Sequence, residues 1–335
     1  MPGYITHYLF ANQVLLRPLL KDDYTRFFQM LSSYRRVFNL GAQGPDLFFY
    51  HLGSNLNPKK KLGSIMHKQK TDDYFKTCLD YLSSLKDEQE LKVFTSYFAG
   101  LLCHYTLDCT THPFIYAHTG YTVGQSGGLT YLATHCQYES NIDHILLQKV
   151  CHCLPSEFNT SKCTHIRPED AKLLANSLSE TITATYFNNK SSYATPSFMR
   201  QAIVSIPTKV RFLQDRGGPK RKIIEFLEQK TVKAPVLSCL FTVDHVTNPK
   251  AILNMEHTSW KNPWNLDQTF DSSFIELYKI ALKEAEQRLE KLAAFYNTLP
   301  IVSTKLGENE NRKQQLLACL NNYSYNSGQS WRLSF

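Results

Sequence analysis

The residues that could carry out chemistry are concentrated between positions 104 and 139. His104, Asp108 and His112 are spaced four apart, and so are His135 and Glu139. On an α-helix, residues four apart lie one turn above each other on the same face. Two helical faces would therefore present three imidazoles and two carboxylates, which are the nitrogen and oxygen ligands that zinc takes in proteins.

Three residues nearer the N-terminus join this candidate set. His7 lies in the first turn of a helix predicted over residues 4–20, Asp46 follows a Gly-Pro pair, and His67 lies early in a helix predicted over 62–85. Each of them alone is typical of an ordinary polar residue. Together with the other five they exceed the roughly three protein ligands of one catalytic zinc. They suit two or three ions if a carboxylate is shared.

Two neighbouring residues leave alternatives open. His51 could replace His67, since both follow Asp46 in the chain. Asp143 extends the row of His135 and Glu139 by one turn, and it could hydrogen-bond to a ligating histidine without binding the metal itself.

The elements that must position these residues have helical apolar spacing. The most regular helix is predicted over 88–110 and includes His104 and Asp108. It should end near Thr111, because Pro113 disfavours the α-conformation in the residue before it. No alternation is long enough to build a sheet, and there is no internal repeat.

The sequence therefore predicts an all-α protein, a multi-helix bundle. We expect residues 1–165 to form a helical zinc-binding catalytic region and residues 166–305 to form a helical extension that packs on the same domain. Residues 306–335 are rich in Asn, Gln and Ser and are expected to be a loose tail.

Composition limits the kind of protein. Of the 335 residues, 42% are hydrophobic and 20% are charged, which indicates a buried core. The formal net charge of +8 favours anionic partners. No window approaches the roughly 18–20 apolar residues of a membrane span, and the N-terminus lacks the pattern of a secretory signal. The nine cysteines are an odd number, which together with the missing signal predicts reduced thiols and a cytoplasmic location.

With these residues in view, the sequence resembles the zinc-dependent phospholipases C and the related fungal single-strand nucleases, which share one all-helical fold. The resemblance runs from Tyr4 to about residue 145. It is carried by Thr6-His7-Tyr8, Gly44-Pro45-Asp46-Leu47-Phe48, His67, the His104-x₃-Asp108-x₃-His112-Pro113 block and His135-x₃-Glu139.

This resemblance implies three zinc ions in one cleft. The first ion would be held by Asp46, His67, His104 and Asp108. The second would be held by His112, His135 and Glu139. The third would be held by His7 and Asp108 with the N-terminal amine and the first carbonyl, so that Asp108 would bridge two ions. Removal of Met1 would let Pro2 supply that amine, where the family has a tryptophan.

The resemblance also implies phosphodiester hydrolysis, with Asp46 positioning or deprotonating the attacking water. The leading hypothesis is cleavage of phospholipid to diacylglycerol and a phosphorylated headgroup, and peripheral contact with a membrane is left open. A nuclease or phosphatase that acts on soluble phosphate esters is the alternative, and its substrates could include nucleic acid. A non-catalytic zinc-binding interaction protein is a third hypothesis from a different class.

Overall fold

The computed structural model describes residues 3–16, 24–50, 62–124, 128–188, 194–302 and 308–333. These residues form fourteen α-helices, two short 3₁₀-helices and one two-stranded ribbon, so the all-α prediction is confirmed. The α-helices are α1 (Tyr4–Leu16), α2 (Thr25–Ser33), α3 (Arg35–Gly41), α4 (Leu62–Lys68), α5 (Thr71–Ser84), α6 (Glu88–His118), α7 (Gly128–Cys151), α8 (Thr160–Cys163), α9 (Pro168–Tyr186), α10 (Pro196–Leu213), α11 (Pro219–Thr231), α12 (Pro249–Ile252), α13 (Phe274–Tyr296) and α14 (Asn309–Leu320). The 3₁₀-helices are Gly44–Phe48 and Ser238–Leu240, and the strands are β1 (Trp260–Asn262) and β2 (Asn265–Phe270).

Helix α6 is the centre of the fold. It has 31 residues, and α1, α3, α7, α9, α13 and β1 all pack against it. Its N-terminus is capped by the Asp87 carboxylate, which accepts a hydrogen bond from the backbone N–H of Glu90 at 2.7 Å. Helix α3 crosses α6 so closely that a Cβ on Gly100 would lie 2.0 Å from the Phe38 carbonyl oxygen. Helix α6 is buried on nearly every side between Leu91 and Ile115, so it lies in the core.

Helix α6 does not end near Thr111, as the sequence predicts, but continues through Pro113. Pro113 is itself buried, so tertiary packing outweighs the local cost of a proline inside a helix. The proline cannot donate to the Cys109 carbonyl one turn earlier. A segment near the C-terminus packs at this point, where Gly328 has a φ of +61° and a Cβ on it would lie 2.3 Å from the Cys109 carbonyl oxygen.

Residues 308–333 do not form the loose tail that the sequence predicts over 306–335. Helix α14 packs against α5 and α13, and the segment that follows it returns to the centre of the protein. The Tyr325 side chain is only 1% exposed. The Trp331 indole nitrogen donates to the carboxylate of Asp72 at 2.8 Å. Tyr325 and Trp331 therefore fix this polar stretch to the rest of the protein.

A small ribbon is the third departure from the sequence prediction, which contains no strands. Strands β1 and β2 are antiparallel, with Trp260 opposite Phe270. The two rings stack with centroids 4.8 Å apart, and the Trp260 ring meets Phe114 of α6 edge-on. The ribbon is thus held to α6 by aromatic packing.

The main hydrophobic core of the described residues extends from Tyr4 to Tyr325, and a smaller cluster of Ala133, Cys136 and Cys239 is separate from it. Helix α13 is tied to α6 by the buried Arg288, which donates to the Thr106 hydroxyl at 2.6 Å. Among the helices in the described ranges, none combines the length and the apolar character that crossing a membrane requires.

Candidate metal centre

The structure brings all eight predicted ligand residues into one buried cluster. Five elements supply them: α1, the 3₁₀-turn at 44–48, α4, α6 and α7. Their donor atoms fall into three sets, each with all atoms within 4.8 Å of one another. The sets are His7 with Asp46 and His104; His67 with His104 and Asp108; and His112 with His135 and Glu139.

Asp108 lies at the middle of the cluster. Its Oδ1 is 3.2 Å from the Nε2 of His7 and 3.5 Å from the Nε2 of His112. Its Oδ2 is 3.0 Å from the Nε2 of His104 and 3.7 Å from the Nε2 of His67. One carboxylate therefore faces four imidazoles that arrive from three different helices.

Glu139 also lies between histidines, but it faces two imidazoles instead of four. Its Oε1 lies 3.0 Å from the Nε2 of His135, one turn earlier on α7, and 3.4 Å from the Nε2 of His112 on α6. Asp46 faces the Nε2 of His67 at 3.2 Å. Every one of the five histidines thus points its Nε2 at a carboxylate.

The other ring nitrogen explains this common orientation in four of the five histidines. The Nδ1 of His67 donates to the Gly63 carbonyl at 2.7 Å, and the Nδ1 of His104 donates to the Ala42 carbonyl at 3.1 Å. The Nδ1 of His112 donates to the Tyr325 carbonyl at 3.0 Å, and that of His135 faces the Tyr131 hydroxyl at 3.4 Å. A hydrogen bond at Nδ1 fixes the tautomer that leaves Nε2 free for a metal.

His7 is positioned through the two residues that precede it. The Asp143 carboxylate accepts hydrogen bonds from the backbone N–H groups of Ile5 and Thr6, at 3.1 and 2.7 Å, and from the Thr6 hydroxyl at 2.6 Å. Asp143 therefore holds the start of α1, and no hydrogen bond joins it to a histidine of the cluster within the described ranges. The expected contact with a ligating histidine is replaced by this indirect one.

A glycine makes room for His104. Gly44 begins the 3₁₀-turn that carries Asp46, and its φ is +49°, in the left-handed region that favours glycine. A Cβ at this position would lie 2.4 Å from the Cδ2 atom of the His104 ring. The Gly-Pro-Asp sequence therefore brings the Asp46 carboxylate and the His104 imidazole into the same small space.

The electrostatics of the cluster favour a cation. Burial would raise the pKa of Asp108 and Glu139, but the surrounding histidines outweigh it and hold both pKa values below their usual range. Burial lowers the pKa of His104. At His112 the carboxylates of Asp108 and Glu139 outweigh burial and raise the pKa to about 9. The carboxylates thus stay charged in a buried place, where protonated imidazoles or a bound cation must compensate them.

Several buried polar atoms of the cluster also lack a hydrogen bond. Within the described residues, neither oxygen of Asp46, nor Oδ2 of Asp108, nor the Nε2 atoms of His104 and His112 has a hydrogen-bond partner. Buried polar atoms are nearly always satisfied, so a group of such atoms facing one another indicates a missing ligand. Imidazole nitrogens and carboxylate oxygens of this kind fit zinc.

A family model described as zinc dependent phospholipase C matches residues 6–204. That is more than half of the 335-residue chain. The chain belongs to the zinc-dependent phospholipase C family. No curated protein and no solved structure matches it. All eight residues of the cluster lie inside the segment that the zinc-dependent phospholipase C model covers, and the family's dependence on zinc agrees with the chemistry of the donor set.

Two earlier alternatives fall on residues that the structure does not describe. His51, the possible replacement for His67, and Pro2, the proposed source of the N-terminal amine, both lie outside the described ranges. Among the residues that are described, His67 is the one whose Nε2 faces Asp46 and Asp108.

Sequence reasoning missed Tyr325, which supports the cluster from outside the family match. Its carbonyl accepts the Nδ1–H of His112, and its N–H donates to the carbonyl of His67 at 2.9 Å. Its ring packs against the rings of His67 and His104, with centroids 5.2 and 5.7 Å away. Nothing in the spacing signals this contact, since 213 positions separate Tyr325 from His112. Tyr131 does have such a signal, because its position four residues before His135 places it one helical turn away on the same face.

Replacement of Tyr325 by Ala should lower zinc affinity about tenfold, the lower end of the 10- to 100-fold cost of losing an outer partner of a metal ligand, because the backbone carbonyl that accepts from His112 remains. The alanine removes the ring that packs on two histidines, so both imidazoles gain freedom to turn. Competition with a coloured chelator measures the affinity. Tyr325→Phe is the matched control and should bind zinc as the wild type does. A Tyr325→Ala protein that is less stable but has unchanged zinc affinity would show that the ring only fills space.

Proposed function

We propose that this protein is a zinc-dependent phosphodiesterase that cleaves phospholipid to diacylglycerol and a phosphorylated headgroup. The observation that carries the proposal is the buried cluster in which five imidazoles point Nε2 at three carboxylates. Structural zinc sites are usually closed and rich in cysteine, whereas histidine and carboxylate sets are typical of catalytic ones. Membership of the zinc-dependent phospholipase C family supports the same class of reaction.

In the proposed ligand scheme, the first zinc ion is held by Asp46, His67, His104 and Asp108. Support for it comes from the 3.2 Å approach of Asp46 to His67 and the 3.0 Å approach of Asp108 to His104. The residues come from three elements, the 3₁₀-turn, α4 and α6. An ion at this place would neutralise two buried carboxylates.

The second zinc ion would be held by His112, His135 and Glu139, whose donor atoms form one of the three sets. A third ion would use His7 and Asp108, and its remaining ligands would come from the N-terminal amine and carbonyl, outside the described residues. Consistent with a neighbouring position, the His7 ring stacks on the His104 ring with centroids 4.1 Å apart. The proposal therefore comprises the first two ions, or three ions with Asp108 shared between the first and the third.

Zinc, when bound, polarises phosphoryl oxygens and lowers the pKa of water toward about 7. Asp46 is the proposed group that orients the attacking water and takes its proton. Its carboxylate is buried, and neither oxygen is engaged by a hydrogen bond from the described part of the chain. Asp108 and Glu139 face the imidazoles. With zinc bound, the site would offer positive charge to an anionic phosphodiester.

The decisive experiment follows the release of phosphorylcholine from a short-chain phosphatidylcholine. The zinc-loaded protein should release it, and chelation should reduce the rate at least about a thousandfold. Metal assistance contributes several kcal/mol to the transition state, and each 1.4 kcal/mol corresponds to about tenfold in rate. Re-addition of zinc should restore the rate.

Two results would contradict the proposal. Cleavage of single-stranded nucleic acid or soluble phosphate esters, with no action on phosphatidylcholine, would favour the nuclease or phosphatase hypothesis. Full zinc occupancy without turnover on any of these substrates would favour a non-catalytic zinc-binding protein. A cytoplasmic location stays a prediction in either case.

A further inference from the structure

The outward face of α11 carries large apolar side chains. Ile223, Phe226 and Leu227 are 62%, 55% and 54% exposed, and their spacing of three and four places them on one side of the helix. The opposite side of the helix faces the protein, because Ile224 packs against the core and Glu228 is buried. The outer side of a surface helix is ordinarily polar, so this face is unusual for a helix that contacts only water.

Positive charge surrounds these apolar side chains. Residues 211–233 contain seven Lys and Arg against three Asp and Glu, which is half of the chain's formal excess of +8. Two of the three acids are turned inward. Asp215 accepts from the backbone N–H of Arg221 at 2.7 Å, and Glu228 accepts from the Ser238 hydroxyl at 2.5 Å. The charge that remains exposed on this face is therefore mainly positive.

The cations lie directly beside the aromatic rings. The Nζ of Lys230 is 4.2 Å from the centroid of the Phe226 ring, and the Nζ of Lys220 is 5.3 Å from that of Phe212, which is itself exposed at the end of α10. We refer to this surface as the α11 patch. It consists of Phe212, Lys220, Lys222, Ile223, Phe226, Leu227 and Lys230.

Helix α11 is held to the helix that carries part of the metal centre. The Nη2 of Arg221 donates to the Oε1 of Gln137 at 2.7 Å, and Gln137 lies on α7 between His135 and Glu139. The 3₁₀-turn at 238–240, which α11 pins through Glu228, also packs against α7. A surface bound at the α11 patch is therefore kept at a fixed place relative to α7.

We propose that the α11 patch docks on a membrane of anionic phospholipid. A helix with an apolar face and flanking lysines lies in the interface of such a membrane, where the apolar side chains enter the acyl boundary and the lysines meet negative headgroups. The exposed positive charge matches this occupant. The choice of a lipid bilayer rests on the proposed function, in which the substrate is a phospholipid that resides in one.

Co-sedimentation of the zinc-loaded protein with vesicles tests this docking. We expect binding to vesicles of phosphatidylcholine mixed with phosphatidylserine to be at least about tenfold tighter than to phosphatidylcholine alone, since each lysine near an anionic surface contributes favourably. The double variants Phe226→Ser/Leu227→Ser and Lys222→Glu/Lys230→Glu should each lose about tenfold or more. The matched control is Lys279→Glu/Ile280→Ser on α13, where both residues are exposed, and it should bind normally.

A second readout separates docking from catalysis. Both α11 double variants should keep the zinc content of the wild type and its rate on dispersed short-chain phosphatidylcholine, because the substituted side chains lie on the surface. Their rate on mixed vesicles should fall with their binding. If the wild type hydrolyses no lipid but binds mixed vesicles through the patch, the proposed function fails while the docking inference stands.

The docking inference is overturned by three results. The first is that the wild type does not bind mixed vesicles. The second is that the α13 control loses as much binding as the α11 variants. The third is that the protein does not bind vesicles and sedimentation velocity shows a dimer that Phe226→Ser/Leu227→Ser dissociates. The occupant of the patch would then be a second copy of this chain.

Discussion

Replacement of Asp108 by Asn is expected to remove two zinc ions per chain and to abolish turnover. Asp108 faces four imidazoles within 3.7 Å and is the one carboxylate shared by two of the proposed ion sites. The amide keeps the size of the side chain but withdraws the negative charge that binds the metal. The rate should fall by more than the roughly 10- to 100-fold that loss of an outer partner costs.

Elemental analysis of the purified protein measures this directly. Asp170→Asn is a suitable control, because Asp170 is also a buried carboxylate, bound by Arg167 and Gln89, far along the chain from the cluster. It should keep the zinc content of the wild type. If Asp108→Asn loses one ion or none, the shared position of Asp108 is wrong, and a scheme of separate sites must replace it.

The second large effect is expected for Asp46→Asn. If Asp46 orients the attacking water and accepts its proton, kcat should fall about 10²- to 10⁴-fold, the usual contribution of a general base. KM should change little, since the amide occupies the same space. Measurement of kcat and KM on short-chain phosphatidylcholine tests this expectation.

The zinc content of this variant distinguishes the two roles of Asp46, as the group that takes the proton and as a metal ligand. A variant that loses activity at full zinc content identifies Asp46 as the group that handles the water. A variant that loses activity together with one ion identifies it mainly as a ligand. Activity close to that of the wild type would rule out both roles, because the buried carboxylate would then be dispensable.

The cluster itself could be anticipated because its ligands follow local rules. Spacing of four on α6 and α7 places His104, Asp108 and His112 in one row and His135 with Glu139 in another, and the structure has both rows on helices. His7, Asp46 and His67 do not follow from periodicity. They joined the set as further zinc-type residues, and the resemblance to a family supports the same choice. The assignment of each residue to a particular ion stays a prediction.

The parts that the sequence did not predict depend on contacts between distant residues. A proline normally ends a helix, yet Pro113 lies inside α6 because the surrounding core buries it. A polar segment normally forms a loose tail, yet Tyr325 is buried against the metal cluster. In both cases the deciding energy comes from packing partners that lie far away in the sequence, which no local pattern records.

The α11 patch shows that the sequence also does not predict which apolar residues are exposed. The stretch Pro219-Lys-Arg-Lys-Ile-Ile-Glu-Phe-Leu-Glu is visibly basic and apolar in the sequence. Its apolar residues could have faced the core, as Ile224 does, and only the fold turns Ile223, Phe226 and Leu227 outward. Amphipathic pattern alone therefore cannot tell a buried face from an exposed one.

The hydrogen bond between His112 and the Tyr325 carbonyl also sets an order of events during synthesis. His112 cannot receive this support until the ribosome has added the 213 positions that lead to Tyr325. Nascent chains that already contain all eight ligands would hold zinc with His112 free to turn, and would exchange it more readily. Full retention of the metal should thus appear late, as a property acquired when residue 325 reaches its place.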